Sequence, residues 1–168
     1  MKDFYHLPKT VLSRRALLSL GALLTLIIFP GCGKRTIPSV PASHPKGRAD
    51  AVLATARSQI GVKYKMGGTL PRTGFDCSGL LQWSFAQHGI KIPRTAREQA
   101  SFGKPVSRSN LKPGDIVAFR ISGRSWHTGI ASGNERFIHS PSTGARVREE
   151  SLNSKYWTSR FATGRRVA

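Results

Sequence analysis

Gly74-Phe75-Asp76-Cys77-Ser78-Gly79-Leu80-Leu81-Gln82-Trp83-Ser84-Phe85 joins a glycine-bearing loop to an amphipathic helix, with a cysteine at the junction. Asp76 is placed to cap the helix N-terminus, and Gly89 to close its far end. Cys77, Leu80, Leu81, Ser84, Phe85 and His88 fall on one face of this helix. The thiol therefore shares the stripe that packs against the rest of the domain. It also occupies the first turn, where free N–H groups and the helix dipole favour an anion. Such a position is expected to lower a thiol pKa and to favour the reactive thiolate. The alternative is a buried, inert cysteine. The setting beside Asp76, Ser78 and Gly79 argues for the reactive reading.

Upstream, Ala49, Val52, Leu53, Ala56 and Ile60 recur at helical spacing, predicting a helix over 48–60 stopped by Gly61. Gly67-Gly68, Pro71 and Gly74 mark an irregular loop. Downstream, Thr95-Ala96-Arg97-Glu98 has the capping-box pattern of a short third helix. After Pro113-Gly114 the pattern changes to short segments separated by turn residues: Asp115–Arg120, His127–Ser132, Arg136–Ser140, Ala145–Glu149 and one near Trp157–Val167. Helices first and closely spaced strands later predict an α+β domain, its N-terminal helices packed on a central antiparallel β-sheet.

The N-terminal part reads differently. Lys2, Lys9, Arg14 and Arg15 precede the uncharged apolar run Ala16–Phe29. That run is shorter than the ~20 residues a spanning helix needs, so 1–31 reads as an export signal. Phe29-Pro30-Gly31-Cys32 resembles a bacterial lipobox, with Cys32 the expected site of lipidation. Ser13-Arg14-Arg15-Ala16-Leu17-Leu18 also resembles a twin-arginine signal, which leaves the export route open. Residues 32–47 form a proline-rich tether, and the domain is expected over 48–168. The chain has two cysteines, so lipid on Cys32 leaves Cys77 a free thiol; a Cys32–Cys77 disulfide is the alternative. The formal charge is +19, and removing four bases and one acid with residues 1–31 leaves +16. A charge of this size favours polyanions. Export directs the chain away from nucleic acid and towards anionic wall or lipid head groups.

A nucleophilic cysteine needs a base and a group that orients the base. His6 lies in the signal and His44 in the tether. His88 lies roughly 16 Å from Cys77 along the helix axis at 1.5 Å per residue. His127 and His139 remain. With an odd loop around Gly133, opposed residue numbers sum to 266 and His127 faces His139 directly. The two histidines then share one sheet face, and Ile130 and Ile138 share the other. A two-residue turn would instead part the histidines across the sheet. Cys77, His127 and His139 could also offer sulfur and two nitrogens to zinc, although no close ligand pair accompanies them.

Tyr64-Lys65-Met66-Gly67-Gly68, Gly74-Phe75-Asp76-Cys77-Ser78-Gly79-Leu80, Leu111-Lys112-Pro113-Gly114-Asp115 and His127-Thr128-Gly129-Ile130 occur in that order, followed by Phe137-Ile138-His139-Ser140-Pro141-Ser142-Thr143-Gly144. Together they resemble the NlpC family of papain-like cell-wall cysteine peptidases, over roughly residues 50–165. The resemblance implies Cys77 as nucleophile, His127 as general base and later acid, and His139 as the polar group orienting it. It implies Tyr64 beside the nucleophile and Ser78 lining the cleft, both towards substrate. Met66, Thr128 and Ala131 depart from residues common in the family, which bears on subsite shape.

The function implied is peptidoglycan hydrolysis through an acyl-enzyme, with no cofactor. A non-catalytic wall-binding lipoprotein and a related thiol amidase or acyltransferase are the alternatives. A monomer is expected, anchored by lipid to the membrane. Gly33-Lys34 after Cys32 lacks the aspartate associated with inner-membrane retention, which points to the outer membrane, facing the periplasm.

Overall fold

The computed structural model describes residues 45–168. The expected signal, Cys32 and the tether as far as residue 44 lie outside them. Pro45 opens helix α1 (Pro45–Arg57), at a position where the missing N–H has no helical acceptor to lose. The helix starts and stops earlier than the expected 48–60. Beyond it the chain turns to Gly61, at φ 95°, whose N–H is claimed by the carbonyl of Val147 at 2.9 Å. Val52, Leu53 and Ala56 are buried as the spacing predicts. Ile60 lies past the helix end and is 46% exposed.

Helix α2 (Cys77–Ala86) begins where Asp76 accepts the N–H of Gly79, and Leu80, Leu81, Ser84 and Phe85 are buried. In α3 (Ala96–Gln99) both halves of the Thr95/Glu98 capping box form. The loop between α1 and α2 contains two short antiparallel strands, β1 (Thr69–Leu70) and β2 (Gly74–Phe75), where the glycines and proline signalled only irregular chain.

The remaining strands are β3 (Lys104–Val106), β4 (Ile116–Ser122), β5 (Ser125–Gly133), β6 (Arg136–His139), β7 (Arg148–Ser151) and β8 (Phe161–Arg166). They form one antiparallel sheet in the order β3-β8-β4-β5-β6-β7. A short helix, α4 (Lys155–Thr158), precedes β8. β7 starts after the expected Ala145. β3 carries Pro105 and no apolar alternation, a composition suited only to a sheet edge.

Both faces of the sheet are covered. Ile116, Ile130 and Ile138 pack with Val52, Leu80, Leu81 and Phe85 in one cluster. Val117, Phe119, Ala131 and Phe137 pack with Leu152 and Trp157 in another. Burial on both sides explains why Ile116–Phe119 is a continuous apolar run without a period of two.

The β5–β6 pairing differs from the expected register. Ile130 pairs with Ile138 and Ala131 with Phe137, a sum of 268, and then Gly133 pairs with Arg136. The turn is the two-residue Asn134-Glu135, both at positive φ (51° and 57°), as a tight hairpin requires. Alone, that turn would have put the histidines on opposite faces. A bulge at Ser132 inserts one residue and restores the parity. His127 and His139 thus share a face, offset along the strands by two residues from the expected direct opposition.

Candidate active site

The first turn of α2 is clamped onto the preceding loop. The Asp76 N–H bonds the Gly68 carbonyl at 3.1 Å, and Asp76 Oδ2 accepts the Gly67 N–H at 3.1 Å. A Cβ on Gly79 would lie 2.0 Å from that same Gly68 oxygen, so only glycine permits the approach. The loop is also tied to the connection between β6 and β7: Tyr64 N–H bonds Ala145 O at 2.9 Å, and the Ser140 hydroxyl bonds Phe75 O at 2.7 Å. Cys77 is held at this junction, partly exposed.

Asp76 does more than cap. Arg94 grips it with two N–H groups, at 3.1 and 2.6 Å, and also reaches the Ser78 hydroxyl at 2.9 Å. Although burial opposes ionisation, the Arg94, Gly79 and Ser78 hydrogen bonds hold the Asp76 carboxyl below its ordinary range. The Ser78 hydroxyl is therefore engaged with its own neighbours: it donates to Asp76 at 3.2 Å and lies buried. Gln99, fully buried, joins the cysteine helix to the histidine strand. Its amide donates to the carbonyls of Ser78 at 3.0 Å and Pro93 at 2.9 Å, and its oxygen accepts the Thr128 hydroxyl at 2.9 Å.

His127 and His139 meet: Nε2 of the first lies 2.8 Å from Nδ1 of the second. The nitrogen of His127 left for another partner is Nδ1. The backbone amides of Thr128, the next residue on β5, and of Ser78 and Cys77 favour negative charge on the Cys77 sulfur. Trp157 stacks on His127, with centroids 5.2 Å apart and planes 27° from parallel, and meets His139 edge-on at 5.1 Å. Behind His139, Glu150 Oε1 stands 3.5 Å from Nε2. The same carboxylate takes hydrogen bonds from the Trp157 indole and from Arg148.

Burial pushes the Cys77 thiol up, against the opposing pull of the three backbone N–H groups, and the Asp76 charge adds to the rise. The expected lowering by the helix terminus is therefore outweighed by desolvation. His127 is pushed down to about 3, first by burial and then by His139. Tyr64 is raised by burial and then by charge on Cys77 and Asp76, and it lines the same cleft as Cys77. A cleft of 750 Å³ is lined by Tyr64, Asp76, Cys77, Ser78, Arg94 and His127 among others.

His88 bonds Thr55 at 2.8 Å, between α1 and α2 and away from this constellation. Among the described residues no group of His, Cys, Asp and Glu is arranged to hold a metal ion, and the facing nitrogens of His127 and His139 are spent on one another.

The NlpC/P60 family model matches residues 61–166. The chain belongs to the NlpC/P60 family. Its NlpC/P60 domain is 46% identical over 114 residues to the murein DD-endopeptidase MepH of Escherichia coli K12, covering 65% of this chain and 42% of that protein. It is 45% identical over 108 residues to the murein DD-endopeptidase/LD-carboxypeptidase MepS of the same strain, covering 64% and 56%. The match thus spans about half the length of these relatives. An NlpC/P60 family protein from Bacillus cereus has the same fold, with a TM-score of 0.66 and 32% identity over 71% of this chain and 40% of that one. The NlpC/p60 domain of the peptidoglycan hydrolase SagA gives 0.62 and 31% over 70% and 97%. The architecture is the α+β fold expected from the order of helices and strands, of the papain-like kind that the family resemblance implied.

The structure adds Arg94, Gln99, Glu150 and Trp157 to the residues the sequence singled out. Glu150 left one signal, as one of only eight acids in a chain of net charge +19. The other three left none, because their partners lie far away in the chain.

Proposed function

We propose that this NlpC/P60 domain is a thiol endopeptidase that cleaves amide bonds in peptidoglycan stem peptides or crosslinks. The observation that carries the reading is one cleft lined by both Cys77 and His127, with the buried His139 bonded to His127 behind it. Relatives named murein DD-endopeptidases support the substrate class.

In the mechanism, His127 Nδ1 takes the Cys77 proton as the sulfur attacks the scissile carbonyl carbon. The carbonyl π pair moves to oxygen, and the backbone N–H groups of the first turn of α2 receive that charge. Tyr64, protonated at neutral pH, supplies a hydroxyl at the same side. Collapse breaks the C–N bond, and the His127 imidazolium returns its proton to the leaving amine. Water, deprotonated by the same nitrogen, then attacks the thioester and releases the carboxylate and the free thiol. His139 holds the His127 ring through its other nitrogen. Ser78 serves the cleft indirectly, by fixing Asp76 and Arg94.

Digestion of purified peptidoglycan by the full chain, beside its Cys77→Ala variant, tests the reading, with products identified by mass. New peptide fragments from the parent alone are expected, and they would name the bond. No cleavage by a parent that is folded and bound to the wall would replace hydrolysis with a scaffold role.

The same proposal places the chain as a lipid-anchored monomer on the outer membrane, facing the periplasm, with Cys32 acylated. Its excess of basic charge favours contact with anionic wall polymer. Palmitate label should enter the parent and not a Cys32→Ala variant, and the solubilised chain should sediment as one protomer. An unlabelled mature protein would remove the anchor.

A further inference from the structure

His139 Nε2 is buried without a hydrogen-bond partner, and the carboxylate it faces is that of Glu150, with Oε1 3.5 Å away. We infer that Glu150 is a positioning residue that selects the histidine tautomer in which His127 Nδ1 is the proton acceptor for Cys77. This rests on the assignment of His127 as the base.

An unprotonated Nε2 on His139 would aim a lone pair at a carboxylate in a site with little water. Glu150 therefore holds the proton on Nε2, and His139 Nδ1 becomes the acceptor. Nδ1 lies 2.8 Å from His127 Nε2, so the proton between the rings belongs to His127 Nε2. A neutral imidazole carries a single N–H, which leaves His127 Nδ1 as a lone pair. The opposite tautomer runs the other way. His139 would donate through Nδ1, the His127 proton would move to Nδ1, and the cysteine would face a donor with no base.

Glu150 is built to stay ionised and in place. The facing His139 ring, with hydrogen bonds from Trp157 and Arg148, holds its carboxyl far below the ordinary range against burial. The indole of Trp157 occupies Oε2 while its ring lies over His127, so one side chain fixes both ends of the relay. Arg148, half-exposed on the strand beside His139, is the one arginine or lysine paired with this carboxylate among the described residues. At the Cys77 end the charges are Asp76 and Arg94, which neutralise each other as a pair. When His127 accepts the thiol proton, the new positive charge faces His139 and, beyond it, Glu150.

The test begins with the unmodified full-length chain, labelled with ¹⁵N at histidine. Ring-nitrogen shifts should show both His127 and His139 protonated at Nε2 at neutral pH. In Glu150→Gln, kcat should fall by about 10²-fold or more, as when a histidine is released into the wrong tautomer, with KM within about twofold. The acid limb of kcat/KM should move to lower pH, because the lost negative charge had favoured the imidazolium. A purely structural role would lower thermal stability without displacing that limb. His139 protonated at Nδ1 in the parent overturns the inference, even if the variant fails to fold. A folded Glu150→Gln with unchanged kcat and pH profile overturns it too. Activity surviving in Cys77→Ala or His127→Ala would instead sink the catalytic assignment itself.

Discussion

The Cys77 thiol lies between two opposed influences. Backbone N–H groups of Thr128, Ser78 and Cys77 favour a thiolate, while burial and the Asp76 charge disfavour it more strongly. His127, held down to about 3, is then a weaker base than the thiolate it would create, so the resting pair is neutral. In the proposed reaction the proton moves only as the sulfur attacks. Alkylation of Cys77 by iodoacetamide in the full chain should accordingly be slow at neutral pH and climb continuously into the alkaline range. A rate already at its plateau below neutral pH would show a stored thiolate–imidazolium pair instead. The residues proposed to react were legible because cysteine and histidine are scarce here and carry their chemistry in the side chain. Glu150, Trp157 and Gln99 acquire roles only from the atoms they meet across the fold.

The glycine of Asp-Cys-Ser-Gly and the bulge of β5 act at the scale of the element. Gly79 lets the Gly68 carbonyl lie against the first turn of α2, where a Cβ would stand 2.0 Å from the oxygen. Gly79→Ala should therefore cost about 1–3 kcal/mol, the usual penalty of overpacking, read as a lower urea midpoint, and should shift the cysteine enough to reduce kcat. Gly47 makes the contrast. It lies exposed in α1, where an added Cβ meets nothing within 4 Å, so Gly47→Ala should stabilise by roughly 0.5 kcal/mol or more. Equal effects at the two positions would mean that close approach is not what Gly79 provides. The bulge was beyond reach from residues 125–139 alone. Ser132 has no feature marking it as the extra residue, and only the pairing with β6 and the tight Asn134-Glu135 turn create the need for it.

At the scale of the whole molecule, burying two histidines uncharged makes stability depend on pH. Both are lowered from the ordinary histidine value of 6.5, so below that pH the unfolded chain binds protons that the folded one refuses. Stability is then lost as pH falls from about 6.5 towards 3. Asp76 and Glu150, held below the ordinary carboxylate range, contribute stability above that range and lose it as pH falls through their folded values, in the same direction. Urea midpoints should fall steadily from neutral pH into acid, and the slope should be shallower in His127→Gln. A midpoint that rises as pH drops towards 5 would contradict the burial of neutral histidines.

The sequence by itself determined the helices, the strand-rich second half, the capped cysteine turn and the pair of histidines. Each of these follows from local chemistry: apolar spacing, caps, glycines and the ring nitrogens themselves. Tertiary structure decided which histidine nitrogens meet, the net direction of the thiol shift, the engagement of the Ser78 hydroxyl and the carboxylate behind His139. Those depend on distances between segments far apart in the chain, and on the removal of water, which no single segment specifies. The register of β5 and β6 shows the division plainly. Hydrophobic pattern required Ile130 and Ile138 on one face, and therefore the histidines on the other, while the bulge and the tight turn that satisfy it arise only when the strands pair.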